Sequence, residues 1–398
     1  MTEAVTRRAA MLGAAATSGA LLFAGGNARA QAKPTELRVG ITTFLSGAAS
    51  VFGVPARQTA EMLFEEINKA GGIGGRKIEL LTRDTAGEPT KAVNLAQQLV
   101  FSDKVHFVIG PVNSGESLAT VPIVARAGIP NIVIGSVNEL IDEKKFPLAF
   151  RAINTNTQWI QGGNDYALNV LKRKKVAVIG DTSGYGTSSA KTAAELLEKA
   201  GVKPVYSTLI DANKTDLTDE MTKAKAAGAD VIMPWSAATG LMARILNARG
   251  NMGWDVPVVG HPAVMALPIK ALLNKPEYWE NSYAAGYQST TYVDGKLPER
   301  TQKLVDQIKP ALGGKIDFTF WWVALGYDTV KIIEHAVKTN GSTDPQKFKT
   351  LLEGTKDFPG VYASYTWTAQ DHNGFPDRNI VVNTANTFKD GSYDRAPM

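Results

Sequence analysis

Several loop segments carry the side chains best suited to holding a small molecule. Pro111-Val112-Asn113-Ser114-Gly115 follows an apolar run and leads into an amphipathic stretch. Ser114 therefore stands where a helix begins. Its hydroxyl and the following N–H groups, backed by the helix dipole, can clamp a carboxylate. The same position suits a plain N-cap, worth roughly 1 kcal/mol, and one serine can do both. Gly135-Ser136 in the next loop invites the same two readings. Phe44, Phe52, Tyr185 and Trp235 fall in loops at the same edge, where they can wall a pocket or fill the core. His261 is the histidine at a strand's carboxyl end, either a ligand contact or a structural group. Such loops offer small hydroxyls and rings with little charge, a lining suited to a small anion or neutral molecule.

Enzyme chemistry has little support. His106, His261, His335 and His372 are scattered without metal-ligand spacing, and no serine has the Gly-x-Ser-x-Gly context of a nucleophile elbow. Gly71-Gly72-Ile73-Gly74-Gly75 follows a helix and precedes a strand, the reverse of a phosphate loop. These glycines end a helix and turn the chain. No cofactor and no metal are expected.

The residues expected to position these loops begin after an export signal. Arg7-Arg8, an apolar stretch from Ala9 to Ala24 and Ala28-Arg29-Ala30 have its three parts, with cleavage expected after Ala30. The paired arginines point to the twin-arginine route, with Sec as the alternative. The stretch is too short and too rich in Gly and Ala to span a bilayer. Losing Arg7, Arg8, Arg29 and Glu3 lowers the net charge from +5 to +3. Both signs alternate along the rest, so no nucleic-acid footprint is expected. Zero cysteines exclude disulfides, thiol catalysis and cysteine-held metals.

From Leu37 onward, short Val/Ile-rich runs alternate with amphipathic stretches. Strands are expected at 37–42, 77–83, 105–109, 131–134, 175–179, 202–209, 231–233 and 256–259. Helices are expected between them, then at Trp321–Thr339 and Pro345–Glu353. This order makes an α/β fold of doubly wound parallel sheets, in which ligands bind beyond the carboxyl ends of the strands. Two such sets without a flexible tether predict two lobes closing on something between them.

Asn68-Lys69-Ala70-Gly71-Gly72-Ile73, followed by Gly75-Arg76-Lys77-Ile78-Glu79-Leu80, resembles the signature of leucine/isoleucine/valine-type periplasmic binding proteins, the receptors of one class of ABC importers. The likeness continues through Asp84-Thr85, Pro89 to Val93, Val108 to Pro111, Gly128-Ile129-Pro130 and Tyr185-Gly186. It implies two α/β lobes joined by three crossings, placed near Asn154, Gly286 and Pro359. The lobes are then 31–154 with 287–359 and 155–286 with 360–398. It implies a soluble periplasmic monomer that docks on a membrane permease. It carries the carboxylate-binding role to Ser114, ligand contacts to Ser136, Gly135, Tyr185 and Phe52, and a further one to Tyr327 in the long late helix. Amino-acid binders in this family hold the ligand ammonium with an acidic side chain after the strand ending at Gly260. Here His261-Pro262-Ala263 stands in that place. A buried ammonium without a counter-charge costs several kcal/mol, which favours a small aromatic acid such as a benzoate. A branched-chain amino acid or an amide is the alternative, with Asp181 as the ammonium's partner. An exported α/β hydrolase is the reading from another class.

Overall fold

The computed structural model describes residues 36–47 and 50–398, so the export signal expected at 1–30 lies outside them. The buried run of β1 (Leu37–Thr43) explains its interior place in a sheet: a strand covered on both faces has no polar side to turn to water. It is followed by α1 (Ser50–Lys69), β2 (Ile78–Asp84), α2 (Pro89–Gln97), β3 (Phe107–Ile109), α3 (Ser114–Arg126), β4 (Asn131–Val133) and β5 (Ala149–Arg151). The five strands form one parallel sheet in the order β2-β1-β3-β4-β5.

A second series follows: α4 (Asn156–Asp165), β6 (Val176–Asp181), α5 (Gly184–Lys199), β7 (Tyr206–Ile210), α6 (Thr218–Ala226), β8 (Val231–Trp235), α7 (Thr239–Asn251), β9 (Val258–Gly260), α8 (Ile269–Leu272), β10 (Ser282–Tyr287) and β11 (Thr291–Tyr292). Then come α9 (Glu299–Ile308), α10 (Trp321–Asn340), α11 (Pro345–Glu353), the short ribbon β12 (Phe358–Pro359) and β13 (Ser364–Tyr365), and β14 (Ile380–Lys389) with β15 (Ser392–Arg395). The second sheet is β11-β15-β14-β10-β9-β8-β6-β7. Its strands β6 to β10 run parallel, as a doubly wound fold requires. The edge is different: β14 pairs antiparallel to β10 and β15 antiparallel to β14. The two-residue turn at Asp390-Gly391, both at positive φ, makes that hairpin.

Side-chain contacts fix which half each late segment joins. β11 keeps residues 291–292 in the second sheet, and Phe320 N–H donates to Gly391 O at 2.8 Å. α10 then lies along α1, so close that a Cβ on Gly326 would stand 2.6 Å from the Ala56 carbonyl. Phe348 of α11 packs against Phe107 and Phe150, and Arg151 N–H donates to His372 O at 2.9 Å. Gly286 and Pro359 therefore sit inside stretches that stay with one half. On these contacts we place the passages at Asn154, between Phe320 and Trp321, and at Phe375.

Those passages meet. Asn154 Oδ1, fully buried, accepts from the hydroxyls of Tyr287 at 2.9 Å and Tyr362 at 3.0 Å. The Tyr287 ring lies 5.0 Å from Trp321 and 5.8 Å from Phe375. Tyr362 is positioned by Asp328 of α10, whose carboxylate accepts from the N–H groups of Val361, Tyr362 and Ala363 and from the Tyr365 hydroxyl, at 2.7–3.3 Å. Asp328→Asn replaces an acceptor by an amide that turns N–H groups toward donors. It is expected to cost about 3 kcal/mol, since several buried hydrogen bonds are lost and their donors are orphaned. Urea unfolding measures this, and an unchanged midpoint would contradict the role given to Asp328.

Candidate ligand-binding site

The loops at the carboxyl ends of the two sheets face each other around a cavity of about 40 Å³, measured as room for the centres of water molecules. That is space for a few waters. Phe44, Phe52, Ser114 and Ser136 come from the first half; Trp159, Tyr185, Ala237 and His261 come from the second. Trp322, from the first turn of α10, completes the wall.

Local packing explains how the first-half residues arrive there. A Cβ on Gly53 would overlap both the Phe44 carbonyl and the Thr43 hydroxyl, so the glycine lets α1 press onto the Phe44 loop. This sets Phe52 and Phe44 at one wall, with Phe52 5.5 Å from Trp322. Ser114 is not the helix cap. Asn113 takes that role, its Oδ1 accepting from the N–H groups of Gly115 at 2.7 Å and Glu116 at 3.3 Å. Relieved of capping, Ser114 Oγ accepts long bonds from Ser136 N–H and Val137 N–H, at 3.3 and 3.4 Å, which leaves its own proton to donate. Two of the N–H groups expected to clamp a carboxylate are already taken by Asn113, so the hydroxyl is the principal group Ser114 offers.

Gly135 does not line the cavity. A Cβ there would stand 2.6–2.7 Å from Leu140 and Ser117, so its absence lets the loop lie on α3 and turn Ser136 inward. The loop is pinned from below by Arg151, which is fully buried and donates to the carbonyls of Ser136 at 2.9 Å and Val137 at 2.7 Å. Arg151 went unrecognised in the sequence because it ends an otherwise apolar β-run.

In the second half, α5 begins with Ser183 as its cap, and Tyr185 enters the wall from the first turn. His261 caps a short turn: its Nδ1 accepts from Ala263 N–H at 3.0 Å. An N–H can only donate, so Nδ1 is unprotonated and the proton sits on Nε2. Burial drives the imidazole pKa down to about 3, keeping the ring neutral. The ring stands edge-on to Trp159 and Tyr185, each 5.1 Å away. Asp181 faces elsewhere, accepting from Ser183 N–H at 2.8 Å and from the Ser236 hydroxyl. No residue lining the cavity carries a charge.

Besides Gly135, two more of the nine expected contacts stand apart. Trp235 is the last residue of β8 and is fully buried against α4, where a Cβ on Gly163 would meet its ring at 3.3 Å. The side chain that reaches the cavity from this loop is Ala237. Tyr327 is half-buried with the Lys331 ammonium 5.5 Å from its ring centre. The α10 residue in the wall is Trp322, five positions earlier and on another helix face. Trp159, Trp322 and Asn113 were missed; the adjacent tryptophans at the start of the long helix were the available signal. Among the described residues no group of three His, Cys, Asp or Glu could hold a metal, and no helix is long and apolar enough to cross a membrane.

Beside this site lies a buried acid. Glu116, in the first turn of α3, has no exposed surface and neither carboxylate oxygen has a well-formed hydrogen bond. Burial pushes its pKa up to about 7; nearby Asp84 adds to this, while the Thr85 hydroxyl, the Gly87 N–H and Lys91 offset part of it. A folded pKa above the unfolded value means stability is retained below about pH 4.5 and lost as pH rises through about 7. Glu116→Gln is therefore expected to stabilise the chain by about 3 kcal/mol at pH 8 and little at pH 4.5. Equal changes in melting temperature at the two pH values would refute this.

Comparison with known proteins places this geometry among relatives. The profile of a family described as "Periplasmic binding protein" matches residues 36–389. The "Leu/Ile/Val-binding protein homolog 3" of Brucella melitensis is 29% identical over 317 residues, covering 79% of this chain and 82% of that protein. An "Amino acid binding protein" of Pseudomonas aeruginosa is 37% identical over 197 residues, 50% of this chain and 53% of its own length. The crystal structure of the branched-chain amino acid transporter substrate-binding protein LivJ from Streptococcus pneumoniae, in complex with isoleucine, superposes with a TM-score of 0.77 at 25% identity. It covers 90% of this chain and 97% of that one. A type 1 periplasmic binding protein from Bordetella pertussis gives a TM-score of 0.80 at 22% identity, covering 91% and 100% of the two chains.

Proposed function

The chain belongs to the periplasmic binding protein family, and from that premise we propose that it is the solute-binding receptor of an ABC importer of the branched-chain amino acid type. It captures one small carboxylate between its lobes and presents the closed form to a permease. The lobes we assign are residues 36–154 with 321–374, and 155–320 with 376–398. The observation that carries this reading is the cavity itself: uncharged, walled by both halves, with Ser114 and Ser136 at one side. Closure around a ligand held this way shifts the population from open to closed. The buried Arg151 guanidinium directly behind Ser136 makes the Ser114–Ser136 side favourable for an anion. The family, together with the export signal expected from the sequence, supports a periplasmic location.

The names of the relatives support a branched-chain amino acid as the ligand's skeleton. One observation favours a second skeleton, a small aromatic acid: Phe44, Phe52, Trp159, Tyr185 and Trp322 share the wall, and no carboxylate faces them. Thermal unfolding against leucine, isoleucine, valine, benzoate, 4-hydroxybenzoate and coumarate tests both. A ligand at a hundred times its Kd stabilises by about 2.7 kcal/mol, enough to move the melting temperature by a degree or more. No shift with any of them would set aside both the branched-chain amino acids and the simple aromatic acids as ligands. Ser114→Ala is expected to weaken whichever acid binds by roughly 1.5–3 kcal/mol, the loss of one bond to charge. An unaltered Kd in calorimetry would remove Ser114 from the site.

A further inference from the structure

The polar groups of the cavity are unbalanced in kind. His261 presents Nε2–H, because Ala263 N–H occupies Nδ1. Ser114 Oγ already accepts two N–H groups, so its proton is what remains to offer. Asn113 has committed its Oδ1 to the helix cap, leaving its NH₂. The Trp322 indole N–H is buried with no partner. Among the residues lining the cavity, none has an acceptor-only side chain, and Asp181 is engaged by Ser183 and Ser236. A 2-ammonium group entering here would meet no carboxylate, and only the Ser136 and Tyr185 hydroxyls could accept from it among side chains that otherwise have donors left to offer. An acceptor oxygen in the same place would satisfy them, and unmatched buried donors are what proteins avoid.

We propose that the cavity selects a small 2-oxo- or 2-hydroxy-carboxylate over the 2-amino acid of the same skeleton, with His261 Nε2–H as the specificity-determining donor to the oxygen beside the carboxylate. This rests on the receptor reading but not on which skeleton is bound. The small cavity requires the second acceptor to sit close to the carboxylate, and the absence of a cationic lining side chain limits the ligand to a single negative charge. The ring stays neutral down to about pH 3, so it donates without adding charge.

The test is calorimetric titration of the full chain with two sets: leucine, 4-methyl-2-oxopentanoate and 2-hydroxy-4-methylpentanoate, then phenylalanine and phenylpyruvate. The oxo acid of at least one skeleton is expected to bind about tenfold or more tighter than its amino acid, the worth of one matched hydrogen bond. His261→Phe is expected to erase that preference by weakening the oxo acid alone. His261→Asn, which retains an N–H donor, is expected to keep part of it and decides the matter if the Phe variant fails to fold. An amino acid that binds tighter than its oxo acid overturns the inference and leaves the receptor reading standing. An oxo/amino ratio unchanged in both variants overturns the role of His261. Failure of every acid in both sets overturns the inference, and a melting-temperature shift with valine, isoleucine or a benzoate would still support the receptor reading.

Discussion

One side-chain carbonyl holds the two halves of this molecule in register. Asn154 Oδ1 receives the hydroxyls of Tyr287, from the last parallel strand of the second sheet, and Tyr362, from the segment fastened to α10. Each tyrosine is fully buried, so each hydroxyl must find an acceptor or lose a bond outright. Asn154 is itself on one passage between halves, and Trp321 and Phe375 on the others pack against the same two rings. The pivot is thus a polar centre inside an aromatic shell. Such a centre has few satisfied arrangements, which favours discrete states over continuous flexing.

The pivot reaches the cavity through stacked rings. Trp321 lies 4.0 Å from Trp322, nearly parallel to it, and Trp159 lies 6.3 Å from both Tyr287 and Trp321. Trp322 and Trp159 are cavity walls, so whatever occupies the cavity presses on side chains that touch the pivot. Hydrogen-bonded Arg151 plays the matching part on the Ser136 side. Removing it would take a charged donor from each of two buried carbonyls, leaving them only the Asn156 and Leu140 N–H groups, and loosen the loop that carries the hydroxyl.

Much of this was legible before any coordinates. Short Val/Ile-rich runs between amphipathic stretches place the strands from β1 to β9 apart from the short β5, and Pro345–Glu353 begins and ends where its Asp344 cap and following Gly354 require. The carboxyl-edge rule brings Phe44, Phe52, Ser114, Ser136, Tyr185 and His261 to one cavity. The misses have physical causes. Asn113 and Ser114 are both good caps, and spacing does not choose between neighbours. β8 runs on to Trp235, so its ring belongs to the sheet's packing layer and the loop's reach passes to Ala237. On α10 five residues turn the helix well past one revolution, which separates Tyr327 from Trp322. The passages between halves depend on long-range pairings such as β11 with β15, and no local pattern encodes those.

The placement of the indoles has an optical consequence. Of the seven tryptophans, Trp159 and Trp322 stand in the cavity wall from opposite halves, and Trp322 is already stacked on Trp321. Separation of the halves would wet both cavity indoles together, while Trp235, sealed under α4, would keep its surroundings. The molecule therefore carries its own fluorophores for opening and an internal reference, so its motion can be followed by emission wavelength without attaching a dye.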